Sequence, residues 1–279
     1  VFDKLKVLDL TGCNHLKVTP NFDSVPRLEK LVLDDCCALI QVHESISHLK
    51  RLVYWSMKRC QWLKKLPDDI FRLNKLENFA LEGCVYINTL PEQLGEMKSL
   101  KELNLRGIMV QSIPDTVGLL SSLQALDLRD CLALSALPNS IGNANNLRVL
   151  YLDSSGIQEL PDSIGCLENL EELKATQCYT LNSLPNSLGN ARNLKRLCLD
   201  GTNIRYLPES IGLLENLEVL QASYCDRLGS LPASIIQLKN LRSLDIKGTE
   251  VSELPRDIWR LDDLKISADF RKLRRRARK

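Results

Sequence analysis

At 279 residues, with 44% hydrophobic and 26% charged side chains, the chain has the composition of a soluble globular protein and the length for one large domain or two ordinary ones. No stretch approaches the roughly 20 consecutive apolar residues of a membrane span. No basic-then-apolar leader opens the chain, and Val1 in place of Met reads as the start of a fragment. The net charge of +2 hides an asymmetry: from Lys265 onward eight Lys or Arg stand against Asp269 alone, and setting aside that +7 leaves the body at −5. Only the last residues, then, would draw the chain to nucleic acid, and none is expected as a partner.

In chain order the first phrase is L-x-x-L-x-L at Leu5. It returns at Leu28, Leu52, Leu76, Leu100, Leu123, Leu147, Leu170, Leu194, Leu217 and Leu241, always 23 or 24 residues on; a twelfth start at Leu264 fades into the basic end. Numbering each phrase from its first leucine, positions one, four and six are apolar and positions three, five, seven and eight vary. That alternation is the mark of a strand with one buried face. The second phrase, L-P-x-x-I/L-G-x-L, places nine of the eleven prolines (Pro67, Pro91, Pro114, Pro138, Pro161, Pro185, Pro208, Pro232 and Pro255) at one point of the period. Proline there suits a turn into a short helical segment rather than a central strand.

A 23–24-residue period lies in the leucine-rich-repeat range. It predicts an α/β solenoid: a horseshoe with a parallel sheet on its concave face and short helical or irregular segments on its convex face. Eleven repeats occupy residues 1–264, about 50 Å of sheet at roughly 4.8 Å per strand. Residues 265–279 form a basic tail or capping segment, in which Phe270, Leu273 and Ala277 have helical spacing. Trp55 and Phe79 fill leucine slots and are expected in the core. A 47-residue double period runs above the single one. From Leu76 on, the 24-residue member carries Cys at position nine (Cys84, Cys131, Cys178, Cys225), and the 23-residue member carries Ile108, Ser155, Thr202 or Thr249.

Seven of the ten cysteines (Cys13, Cys36, Cys60, Cys84, Cys131, Cys178 and Cys225) share position nine, where a small buried residue can stack in a column and help satisfy turn backbone. Their parallel orientation argues against disulfides. Cys198, at an outward strand position, is expected to be the exposed free thiol. Cys36, Cys37, His43 and His48 fit no standard zinc spacing, and no nucleophile, metal or phosphate-loop motif appears. Neither enzyme activity, cofactor nor metal is expected.

The combination L-x-x-L-x-L-x-x-C-x-x-L-x-x-L-P with P-x-S-I-G-x-L resembles the repeat region of plant TIR-type nucleotide-binding leucine-rich-repeat disease-resistance proteins. The likeness is carried by LEKLVLDDCCALIQVHESISHLKRL (28–52), LPNSIGNANNLRVL (137–150) and DGTNIRYLPESIGLLENLEVL (200–220), and it spans residues 1 to about 264. It implies an intracellular receptor, cytoplasmic or nuclear, whose repeats sense a pathogen effector or a guarded host protein and contact neighbouring domains of the same receptor. The other reading is a stand-alone scaffold of the plant Ras-group repeat type, which favours Asn at position nine; none of the eleven repeats has it. Protein binding is expected on the outward strand positions, centred on Tyr54, Arg59, Arg106, Arg129, Tyr151, Arg196 and Tyr224, residue types enriched in interface hot spots.

Overall fold

The structure is a computed structural model, and it describes residues 2–269. The chain divides into two compact units, Val1–Leu134 and Ser135–Lys279. In the first, six three-residue strands follow one another: β1 (Val7–Asp9), β2 (Lys30–Val32), β3 (Tyr54–Ser56), β4 (Asn78–Ala80), β5 (Glu102–Asn104) and β6 (Ala125–Asp127). The second repeats the pattern with β7 (Val149–Tyr151), β8 (Glu172–Lys174), β9 (Arg196–Cys198), β10 (Val219–Gln221), β11 (Ser243–Asp245) and β12 (Lys265–Ser267). Within each unit every strand pairs in parallel with the next in sequence, and the register is unvarying: position four faces position four, as in Trp55 on Phe79 and Leu173 on Leu197. The parallel sheet and short helical returns foreseen from the period are both present.

Why the sheet builds this way follows from the alternation. Position four points into the core and is buried in every repeat from the second to the eleventh. Trp55 and Phe79 sit in that row as expected, fully enclosed and stacked with centroids 4.8 Å apart. Across the eleven repeats position two is charged in all but those of Val53 and Gln124, and wherever two charged residues are neighbours their signs are opposite. Lys6 meets Glu29 at 2.9 Å, Lys101 meets Glu77 at 2.8 Å, and Glu171 lies between Arg148 and Lys195. At β1, which has a strand on one side only, Leu5, Leu8 and Leu10 are half-buried.

On the opposite side, Pro67 to Pro232 each cap a five-residue 3-10 helix, such as Asp162–Cys166 after Pro161. The glycine of the S-I-G phrase explains how these helices lie so close. A Cβ on Gly165 would stand 2.1 Å from the Ser187 carbonyl oxygen, and one on Gly189 2.3 Å from that of Ser210. Asparagine just before position one adds a second column: Asn169, Asn193, Asn216 and Asn240 each donate a side-chain N–H to a carbonyl of the preceding repeat at 2.7–3.0 Å.

Two expectations shift. The twelfth start does more than fade: Lys265, counted with the tail, opens β12, whose Ile266 faces Leu244 of β11. The helical spacing of Phe270, Leu273 and Ala277 lies outside the described residues. The 47-residue double period also acquires a cause. In the 24-residue repeats a second turn follows position nine, closed by Leu134 N–H to Cys131 O, Leu181 to Cys178 and Leu228 to Cys225. In the 23-residue repeats from Leu100 on that turn is missing, and the N–H after position nine crosses to the neighbouring repeat instead, as in Asn203 to Leu181 O and Glu250 to Leu228 O.

Because the obstacle to a Cβ at Gly165 is backbone, Gly165→Ala should cost about 1–3 kcal/mol of stability by overpacking. Gly229→Ala, with nothing within 4 Å of the added Cβ, should stay within about 0.5 kcal/mol of the parent. Urea unfolding of the two variants checks the contrast.

Candidate functional site

The strand face is built from positions three, five, seven and eight. Position eight has a backbone property that the sequence pattern does not announce: it is left-handed in all eleven repeats. Glycine takes it at Gly12, Gly83, Gly107, Gly201 and Gly248, and Asp35, Arg59, Asp130, Ser154, Gln177 and Tyr224 hold φ of 56–59°. For a residue with a Cβ this conformation costs roughly 1–2 kcal/mol.

Position seven is held in a second way. Its N–H lies past the end of the strand, and in seven repeats a side-chain oxygen receives it. In some repeats the acceptor is the repeat's own position five: Asp9 for Thr11, Asn104 for Arg106, Asp127 for Arg129 and Asp245 for Lys247, at 2.9–3.1 Å. Elsewhere it is position seven of the preceding repeat: Asp34 for Lys58, Asp153 for Thr176 and Asp200 for Ser223, at 2.8–2.9 Å. Many of the acids on this face are therefore structural caps.

Against that background the expected binding residues fall into two groups. In the first unit, Tyr54 is half-buried under Lys30, whose Nζ lies 4.9 Å from the ring centroid. Arg59 is exposed and forms a two-pronged pair with Asp35, both hydrogen bonds at 2.5 Å; that contact holds the Asp35 carboxyl below the usual range. Arg106 bonds Asp130 at 2.7 Å and approaches Glu82 at 3.8 Å. Arg129 is bound by Asp127 through both Nε and Nη2. In the second unit, Tyr151 carries Lys174 over its ring at 4.9 Å and donates to Glu172 at 3.3 Å. Arg196 is exposed and 3.9 Å from Glu172, and Tyr224 is 59% exposed. All seven lie on the strand face of their unit, and the arginines are anchored by neighbouring carboxylates. Such pairing preorganises a guanidinium while stabilising the fold little.

The sequence reading passed over positions ten and eleven. In the first unit they bring Trp62, Val85, Tyr86, Met109 and Leu132 to the surface in consecutive repeats, 41–67% exposed. Trp62 and Tyr86 stack with centroids 5.2 Å apart. Large apolar residues just outside the leucine pattern were the available signal, and such an exposed row is the kind that marks interaction surfaces.

The cysteines follow the expected column with one correction. Cys36, Cys60, Cys84, Cys131, Cys178 and Cys225 are buried, and each donates its thiol to the position-six carbonyl of the preceding repeat at 2.9–3.2 Å. Thr202 and Thr249 continue the column through Cys225 Sγ and the Ile246 carbonyl. Burial pushes the Cys36 thiol to about 11 and that of Cys131 to about 12. Cys198 is not the exposed thiol expected: it is 5% exposed, with its pKa raised by burial to about 11. Its in-register neighbours are Lys174 and Gln221, and two long side chains at strand spacing cover a short one between them. All ten cysteines are free, and the exposed ones are Cys37 and Cys166. Cys36, His43 and His48 are engaged elsewhere, with Leu10 O, Ser45 and Asp23 respectively. Among the described residues no group of three or more His, Cys, Asp or Glu is gathered for a metal, and no helix is long and apolar enough to cross a membrane.

Two experiments check these assignments. A thiol reagent should modify Cys37 and Cys166 in the folded chain and reach Cys198 and the six buried thiols of the column only on unfolding; rapid native labelling of Cys198 would contradict its burial. Gln177→Gly should raise stability by about 0.5–1 kcal/mol in urea, since glycine relieves the left-handed strain and gives back part of the gain as backbone entropy.

Known proteins agree with this architecture. A model of the leucine-rich repeat region matches residues 100–182 and 125–229. The disease resistance protein RPV1 of Vitis rotundifolia is 39% identical over 49 residues, which are 18% of this chain and 4% of that protein. Among solved structures, the leucine-rich-repeat domain of the type III effector XCV3220 (XopL) shares 28% identity at a TM-score of 0.66, covering 73% of this chain and 72% of that one. A TDR receptor reaches a TM-score of 0.72 at 24% identity, over 94% of this chain and 46% of that chain, and so speaks for the fold alone. By fold, and by the family model over its middle, the chain is a leucine-rich-repeat solenoid, a scaffold suited to protein–protein recognition.

Proposed function

We propose that the chain is the ligand-sensing repeat region of a plant intracellular immune receptor, binding a pathogen effector or a guarded host protein and contacting neighbouring domains of its own receptor. The observation that carries protein recognition is the row of exposed apolar residues beside the strand face of the first unit, Trp62, Tyr86, Met109 and Leu132, with Tyr54 and Arg59 on the face itself. Tryptophan, tyrosine and arginine dominate interface energetics, and a paired arginine such as Arg59 loses little side-chain freedom on binding. In the second unit Tyr151, Arg196 and Tyr224 offer the same chemistry. The immune assignment draws its support from the cysteine-bearing repeat phrase and from the 49-residue likeness to a disease resistance protein.

The test has two parts. The full transcript is expected to encode TIR and nucleotide-binding domains ahead of these repeats; a transcript of repeats alone would favour a free-standing scaffold. Against a panel of effectors and the upstream domains, Trp62→Ala and Tyr54→Ala should each weaken binding by about tenfold or more if they are hot spots, with thermal unfolding unchanged. Unaltered affinity in both would remove this surface from the binding site.

A further inference from the structure

The second unit holds a cleft of about 510 Å³, inside the roughly 300–1,000 Å³ range of ligand clefts, and the repeat arithmetic creates it. The repeat starting at Leu194 is a 23-residue member without the second turn. The repeats on either side have that turn, closed at Cys178–Leu181 and Cys225–Leu228. At position eight the middle repeat carries Gly201, between Gln177 and Tyr224 of its neighbours, so bare backbone floors the notch. A Cβ on Gly201 would meet nothing closer than 3.8 Å. Tyr179 and Tyr224, 68% and 59% exposed, line it from the repeat before and the repeat after. Tyr224 holds φ of 56°, in the left-handed region that glycine fills on both sides of it, at Gly201 and Gly248. A bulky residue is retained there against the preference for glycine. Its ring rests on Gly248, where a Cβ would come within 2.7 Å of Tyr224 Cδ1, so the notch stays open on the Gly201 side.

The charge of the notch is unanswered within the molecule. Asp200 Oδ1 accepts both the N–H and the hydroxyl of Ser223, which fixes the carboxylate and leaves Oδ2 for a ligand. Asp226 is exposed and makes no hydrogen bond or ion pair among the described residues. No Lys or Arg is among the described residues that line the notch. In the first unit, by contrast, Asp35 is met by Arg59 and Asp130 by Arg106. We propose that the notch is a receptor for an arginine side chain presented by a partner protein, its guanidinium seated between Tyr179 and Tyr224 and neutralised by Asp200 and Asp226. Strands two repeats apart are separated by roughly 10 Å, so a cation above the middle repeat can come within the roughly 6 Å reach of a tyrosine face on either side. Arginine is favoured over lysine because its plane stacks on an aromatic ring and its fork matches carboxylate oxygens. The proposal rests on the reading of the chain as a protein-recognition module and names the chemistry that the second unit selects, a basic segment with arginine at its tip.

The probe is the capped tripeptide acetyl-Gly-Arg-Gly-amide, titrated into the full chain while the tyrosine ring signals are followed by NMR. Saturable shifts are expected at Tyr179 and Tyr224, several-fold weaker binding for the lysine counterpart, and none for the citrulline counterpart, which keeps the shape and lacks the charge. Asp226→Asn and Tyr179→Ala, both at exposed positions, should each weaken the arginine peptide about fivefold or more with thermal unfolding unchanged. Gly201→Asn fills the floor with a residue that tolerates the left-handed region and should abolish binding. Equal shifts from the arginine and citrulline peptides overturn the proposal. So do shifts that never saturate, that reach the exposed Tyr86 and Tyr206 equally, or that persist unchanged in all three variants. The readout needs no partner, so it separates the notch from the immune reading. A peptide that seats here while no effector or upstream domain binds keeps the notch and removes that reading; a peptide that fails here while a partner binds through Trp62 does the reverse.

Discussion

Everything in this molecule depends on the fixed register of neighbouring parallel strands. When position four of one repeat faces position four of the next, every position becomes a column, and each residue's environment is set by its namesakes on either side. An apolar column becomes core, as at positions one, four and six. A charged column survives by setting opposite signs side by side or a neutral residue between like ones, as position two does with Val53 and Gln124. A column of thiols survives by donating to carbonyls, and one of glycines by admitting the backbone next door. The leucines supply the apolar burial; the polar columns decide that neighbours meet in one register only.

Much of this was legible because a column in space is a period in sequence. The leucines announced the buried face, the prolines the entry to the 3-10 helices, and the shared position of seven cysteines foretold a stack, buried at six of them. What remained hidden was what periodicity does not encode. Position eight holds Asp, Arg, Ser, Gln and Tyr as well as Gly, so its common left-handed backbone leaves no compositional trace. The acids at positions five and seven look like solvated surface until their oxygens are seen receiving N–H groups. Cys198 was misjudged because outward was equated with exposed. On a face where like positions lie one strand apart, exposure depends on the neighbours' length as much as on direction.

The candidate binding residues show the same limit. Their identity and their face were readable, but not their anchoring: Arg59, Arg106 and Arg129 are each fastened to an acid, so the surface offers fixed guanidinium planes rather than mobile charges. The apolar row at positions ten and eleven lies beyond the leucine phrase, where no period marks it. Those positions lie on the turns, where the 24- and 23-residue repeats differ. Alternating the two lengths varies the relief along that flank while the strand ladder stays in step.

The thiol and asparagine columns also give the solenoid a direction. Each of these donors reaches back to a carbonyl of the repeat before it, so the two faces of any repeat are chemically unequal. Exposing the face toward the N-terminus strands S–H and N–H donors that were paired. Exposing the other face frees the carbonyls that these two columns use, together with the backbone N–H groups of positions six and eight, such as Leu33 and Asp35, which donate forward to Ser56 and Lys58. Growth in the order of synthesis meets each new set of these thiol and asparagine donors with its acceptors already in place.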